Sequence, residues 1–133
     1  LTGGRVASTL VHPAGASRVV RGGVVAYSTE AKSEVLGVDE KLLAERGAVD
    51  DLVAIHMAVR VRTEFGATIG VSTTGVAGPD SQDGVAVGTV FIAISSEMGK
   101  SVEEHHFSGT RDDIRWATVQ ATLTLLENSL RTE

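Results

Sequence analysis

The sequence predicts a single α/β domain, built as a three-layer α/β/α sandwich around a mixed β-sheet. Short apolar runs typical of strands alternate along the chain with stretches whose apolar residues recur at helical spacing. No internal repeat or linker-like segment interrupts this alternation. A length of 133 residues, with 42% hydrophobic and 22% charged residues, suits one domain with its own core.

The first half of the chain is predicted to contain four helices and one strand. Apolar residues at Val6, Ala7, Leu10 and Val11 form a helical stripe, which Pro13 ends. The elements that follow are a strand over 19–27 with a glycine pair inside it, a helix over 30–36 stopped by Gly37, a short helix over 39–45, and a longer helix from Asp50 to Gly66.

The second half is predicted to contain three strands and one long helix. A strand is predicted over 68–73, and it leads into a glycine-rich loop. Strands over 87–95 and 101–107 flank a turn at 97–100, which predicts an antiparallel hairpin within the sheet. The polar character of 101–107 suits a sheet edge. The last helix is expected over 111–130, where apolar residues follow two neighbouring lines.

Composition argues against several classes of function. The net charge of −5 and the lack of a Lys/Arg cluster argue against nucleic-acid binding, and the absence of cysteine excludes disulfides, thiolate zinc sites and a cysteine nucleophile. His12, His56, His105 and His106 lack the spacing of metal ligands, so we expect no metal site and no cofactor. No apolar run is long enough to span a membrane, and we expect a cytoplasmic protein.

The segment GGVVAYSTEAK, from Gly22 to Lys32, places a tyrosine and a lysine where a strand is predicted to meet a helix. Ser28 suits the N-cap, which puts Lys32 in the first helical turn. The partial positive charge of a helix N-terminus favours the neutral amine, and a lysine with a lowered pKa can act as a general base. From spacing alone, a solvated surface lysine is the alternative.

Three loops have the composition of a ligand site at the carboxyl ends of strands. They are the junction from Tyr27 to Lys32, the segment TTGVAGPD over 73–80, and the segment TGG over 2–4. Glycines let backbone N–H groups approach a ligand, although each glycine loop alone more often marks an ordinary turn. Their joint occurrence predicts one site.

The motifs of the chain, taken in order, resemble those of the nicotinamide-nucleotide amidases, also known as the C-terminal domain of the competence-damage protein CinA. The resemblance covers essentially the whole chain. The matching motifs are TGG (2–4), GGVVAYSTEAK (22–32), GAV (47–49), TTGVAGPD (73–80), VGTVFIA (87–93) and FSGTRDDIR (107–115).

The resemblance implies an α/β/α sandwich that hydrolyses the carboxamide of nicotinamide mononucleotide to nicotinate mononucleotide and ammonia, without a metal. It implies a serine nucleophile with Lys32 as its base, and Tyr27 and Thr74 as groups that orient the reacting atoms. Either Arg111 or Arg115 is expected to pair with the substrate phosphate. Backbone N–H groups for the oxyanion are expected near one of two glycine segments, Thr2, Gly3 and Gly4 or Gly75 to Gly78.

The chain departs from the family pattern chiefly at its start. The family's nucleophilic serine falls immediately before Leu1, and the helix and strand that open the family domain are expected to be missing from residues 1–133. The family's acid between glycine and arginine is Thr110 here, and the loop DSQDGVA over 80–86 lacks the usual Lys-Pro. A non-catalytic ligand-binding or interaction domain is therefore the alternative. We also expect a homodimer.

Overall fold

A computed structural model describes residues 1–132, and its elements follow the predicted order except at one place. The helices are α1 (Arg5–Leu10), α2 (Thr29–Glu34), α3 (Glu40–Arg46), α4 (Asp51–Glu64) and α5 (Arg111–Thr132), with a short 3-10 helix at Ala16–Arg18. The strands are β1 (Gly70–Gly75), β2 (Thr89–Ser96) and β3 (Gly99–His106).

The three strands form one sheet in the order β1-β2-β3, and both pairings are antiparallel. Successive residues of β2 face opposite sides of this sheet. Phe91 and Ala93 pack with α4 on one side, while Val90 and Ile92 pack with Ile114 of α5 on the other. The predicted α/β/α sandwich and the predicted β2-β3 hairpin are therefore confirmed.

Small residues let α4 lie close against the sheet. Asp50 caps this helix by accepting hydrogen bonds from the N–H groups of Leu52 and Val53. Ala54 and Ala58 are fully buried against Ala93, and Ser72 of β1 donates a hydrogen bond from its hydroxyl to the Ala54 carbonyl. At Gly70, any side chain would overlap the carbonyl of Ala58. The α4 layer thus fixes the position of β1.

The strand predicted over 19–27 is wrong. Residues 20–27 form no ladder and run as irregular chain past the end of α4, where the ring of Phe65 occupies the space that a side chain at Gly22 would need. Arg21 donates to the Phe65 carbonyl from Nε, at 3.2 Å, and Val24 and Ala26 pack on the core around α4. Because this segment pairs with no strand, the mixed sheet expected from the sequence is purely antiparallel within the described residues.

The start of α5 is closed by a reciprocal cap. The N–H of Thr110 donates to Asp113 Oδ2 at 2.9 Å, and the N–H of Asp113 donates to Thr110 Oγ1 at 3.1 Å. The bond from the Thr110 backbone, with that from its side chain, holds the pKa of Asp113 below its usual value. Threonine at this departure from the family pattern therefore serves as a helix cap.

A large apolar groove runs beside β1, the outer strand of the sheet. Its volume is about 780 Å³, and α1, residues 18–27, the end of α4 and the end of α5 form its walls. The lining side chains include Leu10, Val71 and Leu126. Leu1 and Thr2 lie at one end of this groove. Among the helices described, none is both long and apolar enough to cross a membrane.

Candidate active site

Lys32 is buried, with 6% of its surface exposed, so the alternative of a solvated surface lysine is wrong. Ser28 is the N-cap of α2, as predicted, and accepts a hydrogen bond from the N–H of Ala31. The ammonium of Lys32 donates to the Ala26 carbonyl at 3.0 Å. Burial lowers the pKa of Lys32 below its usual value of 10.5. Desolvation causes this shift, rather than the helix N-terminus expected from the sequence.

Lys32, Arg115 and Arg111 all contribute positive charge at the position of the Leu1 nitrogen. No carboxylate within residues 1–132 forms an ion pair with Lys32, Arg111 or Arg115, whereas Arg5 and Arg46 have acidic partners. The neighbourhood of Leu1 is therefore electropositive, in a chain whose net charge is −5.

Arg111 joins two of the predicted site segments. Its Nη1 donates to the Gly78 carbonyl at 2.6 Å, and its Nη2 lies 3.4 Å from the hydroxyl of Tyr27. Tyr27 is 71% exposed, so its ring lies at the mouth of the site. The structure thus brings Tyr27, Gly78 and Arg111 together, in agreement with their assignment to one site.

Arg115 bonds to the backbone at the start of the chain. Its Nε donates to the Leu1 carbonyl at 3.0 Å, and its Nη2 donates to the Thr2 carbonyl at 3.2 Å. Thr2 itself is buried, and its hydroxyl lies 3.4 Å from that of Thr73. The predicted residues Thr2 and Arg115 are therefore adjacent.

Thr74 faces away from this cluster. Its hydroxyl is buried and donates to the Ala48 carbonyl at 2.7 Å, on the same side of β1 as Ser72. The hydroxyl on the Thr2 side belongs instead to Thr73, which the sequence reasoning missed. The alternation of side chains along a strand could have found it, because residues 73 and 74 must face opposite sides.

The glycines of the predicted site permit close approach of backbone and side chains. A side chain at Gly75 would overlap Leu1 and the Thr89 carbonyl, and one at Gly3 would come within 2.9 Å of Arg115 Nη2. Gly3, Gly4 and Gly78 have positive φ angles of 63°, 93° and 95°. In residues 1–132 their N–H groups have no hydrogen-bond acceptor, and those of Gly3 and Gly4, unlike that of the buried Gly78, lie where a ligand can reach them.

Comparison with known proteins identifies the family. The CinA C-terminal domain matches residues 1–130. The chain belongs to this family. A competence-damage inducible protein of Desulforamulus reducens is 46% identical over 130 residues, which are 98% of this chain and 32% of that protein. A CinA-like protein of Frankia casuarinae is 44% identical, over 98% of this chain and 30% of that protein. The chain thus spans about a third of the length of these curated relatives.

Solved structures of CinA proteins have the same fold. The competence/damage inducible protein CihA of Agrobacterium tumefaciens is 35% identical, with a TM-score of 0.91, over 96% of this chain and 79% of that one. A CinA superfamily protein of Klebsiella pneumoniae is 30% identical, with a TM-score of 0.95, over 99% of this chain and 83% of that one. The fold of the CinA domain described here is therefore that of its solved relatives.

Metal ligation has no candidate in the described part of this CinA domain, since no three side chains of the His, Asp or Glu type come together there. His105 and His106 of β3 pair with Glu103 and Glu104 respectively, and His105 stacks on Phe107. The chemistry that the site can offer comes from a buried amine, two guanidinium groups, hydroxyls and free N–H donors.

Proposed function

We propose that this CinA domain supplies the site of an amide hydrolase that converts nicotinamide mononucleotide to nicotinate mononucleotide and ammonia. The observation that carries the proposal is the burial of the Lys32 amine, which donates to the Ala26 carbonyl and whose pKa is lowered by desolvation. A neutral lysine amine can take a proton from a hydroxyl nucleophile. The family resemblance and the cationic surroundings of Leu1 support the choice of a nucleotide amide.

The proposed nucleophile is a serine immediately before Leu1. The nitrogen of Leu1 would form the peptide bond to this serine, and Lys32 contributes positive charge at this position. Lys32 takes the proton of the serine hydroxyl while the serine oxygen attacks the carboxamide carbon. The C–N bond then breaks, ammonia leaves with a proton returned from Lys32, and water hydrolyses the ester that remains. The free N–H groups of Gly3 and Gly4 are candidates to stabilise the oxyanion.

The anionic part of the substrate is proposed to lie on the Arg111 side of the site. Arg111 is exposed and has no carboxylate partner within residues 1–132, and Tyr27 stands beside it. A guanidinium group binds phosphate through charge-assisted hydrogen bonds. This arrangement favours a phosphorylated amide over the free base.

The groove beside β1 is proposed to hold the helix and strand that open the family domain. Its apolar walls lie along the unpaired edge of β1, and Leu1 lies at its end. The solved Agrobacterium protein also extends beyond the region matched by this chain, which covers 79% of it. A strand beside β1 would satisfy its free N–H and C=O groups.

The test is ammonia release by the protein that includes the residues preceding Leu1. We expect turnover of nicotinamide mononucleotide, and a kcat/KM at least roughly tenfold lower for nicotinamide riboside, which lacks the phosphate that Arg111 would bind. Free nicotinamide should react more slowly still. Binding of the mononucleotide without any ammonia release would instead support the non-catalytic ligand-binding domain.

A further inference from the structure

The two arginines of the closing motif lie one turn apart on α5, yet they bond to different parts of the molecule. Arg111 reaches outward to Gly78 and Tyr27 at the mouth of the site. Arg115 is half-buried and bonds to the carbonyls of Leu1 and Thr2. The sequence does not distinguish the two arginines, whereas the structure gives them different partners and different burial.

Arg115 holds two consecutive carbonyls in one planar fork. Bonds from Nε to the Leu1 carbonyl and from Nη2 to the Thr2 carbonyl fix the guanidinium against two successive peptide groups. The absence of a side chain at Gly3 lets Nη2 approach, since a Cβ there would lie 2.9 Å from it. The Thr2 carbonyl also accepts from the N–H of Arg5, at 3.2 Å, so the start of α1 is tied to the same place.

Groups that the proposed reaction needs lie both before and after the backbone segment that Arg115 holds. Before it lies the position of the proposed serine, and after it come the unpaired N–H groups of Gly3 and Gly4. Two of the donors of Arg115 are committed to these carbonyls. Arg115 would have to break these two hydrogen bonds before its Nε and Nη2 could donate to a phosphate.

We propose that Arg115 is a positioning residue, which fixes the backbone of Leu1 and Thr2 so that the nucleophile and the oxyanion donors keep their geometry, while Arg111 is the arginine that meets the anionic part of the substrate. The proposal rests on the proposed amidase function and divides a role that the sequence left open between the two arginines. A lysine cannot replace Arg115, because an ammonium group has no planar fork.

The kinetic test compares Arg115→Ala with Arg111→Ala in the protein that includes the residues preceding Leu1. We expect Arg115→Ala to lower kcat by roughly 10²-fold with little change in KM for nicotinamide mononucleotide, because small misplacement of reacting groups has effects of this order. Added guanidinium ion should restore part of kcat, whereas Arg115→Lys should remain impaired. Arg111→Ala should chiefly raise KM. A raised KM with unchanged kcat in Arg115→Ala would overturn the proposal.

A second readout needs no activity and uses the 133-residue chain. Amide hydrogen exchange at Arg5, whose N–H donates to the Thr2 carbonyl that Arg115 holds, should be faster in Arg115→Ala than in the parent chain and unchanged in Arg111→Ala, at equal exchange in α4 as the control for folding. Equal exchange at Arg5 in Arg115→Ala and the parent would overturn the positioning role. If the parent protein releases no ammonia while Arg115→Ala still loosens this segment, the amidase function fails and the structural role of Arg115 stands.

Discussion

Replacing Lys32 with methionine is expected to lower ammonia release from nicotinamide mononucleotide by roughly 10²- to 10⁴-fold, which is the range for loss of a general base. Methionine preserves the apolar length of the side chain at this buried position but has no proton acceptor of comparable strength. The fold should persist, because the ammonium makes one hydrogen bond, to the Ala26 carbonyl. The measurement is the initial rate of ammonia release, with folding checked by thermal unfolding.

Lys41→Met is the matched control, since Lys41 lies on α3 with its side chain 81% exposed and away from the site. It should leave the rate of ammonia release close to that of the parent protein. Normal turnover in Lys32→Met would contradict the role of Lys32 as base.

The difference in free energy of unfolding between the parent protein and Lys32→Met should also depend on pH. The folded-state pKa of Lys32 is lowered from 10.5, so between the two values the unfolded chain binds more protons than the folded one. The parent protein therefore gains stability relative to Lys32→Met as pH rises through this window, and the burial penalty applies in full below it. The activity should rise over the same interval as the amine loses its proton. Denaturant unfolding of both proteins at a series of pH values measures the trend.

Replacing Ile92 with alanine is expected to destabilise the domain by about 2–5 kcal/mol. Ile92 lies at the centre of β2, is fully buried, and packs with Val90 and Ile114 between the sheet and α5. Truncation would remove buried apolar surface and leave a cavity in a core layer that tight packing keeps from closing. Urea unfolding followed by circular dichroism gives the change in free energy.

Ile92→Val is the graded control, with an expected loss of about 0.5–1.5 kcal/mol. Comparing the two variants separates the loss of stability caused by removing one methylene from the loss caused by creating a cavity. Equal, small losses in both would show that α5 does not close the second face of the sheet as the structure has it.

Most of the fold could be predicted from local pattern. The Ser28, Asp50 and glycine signals located helix ends to within a residue or two, because caps act through neighbouring backbone groups. The prediction of a strand over 19–27 was wrong because an apolar run does not show whether another strand is available to pair with it. A strand needs a ladder, and here the ring of Phe65, distant in sequence, occupies the space beside Gly22.

Part of the candidate site could also be predicted from the sequence. The sequence placed Tyr27, Gly78 and Arg111 in one site through motif order, and their contacts agree with it. It could not distinguish Arg111 from Arg115, or Thr73 from Thr74, because these choices depend on which tertiary groups lie opposite each side chain. The burial of Lys32 likewise arises from packing between elements far apart in the chain.

The most direct measurement of the central claim is mass mapping of the covalent intermediate in the protein that includes the residues preceding Leu1. Acid quenching soon after mixing with nicotinamide mononucleotide should trap an ester of the nicotinate mononucleotide carboxyl group on the serine immediately before Leu1. Changing that serine to alanine should remove both the ester and the release of ammonia. Turnover that persists in the alanine variant, or an ester found on another residue such as Ser28, would contradict the account.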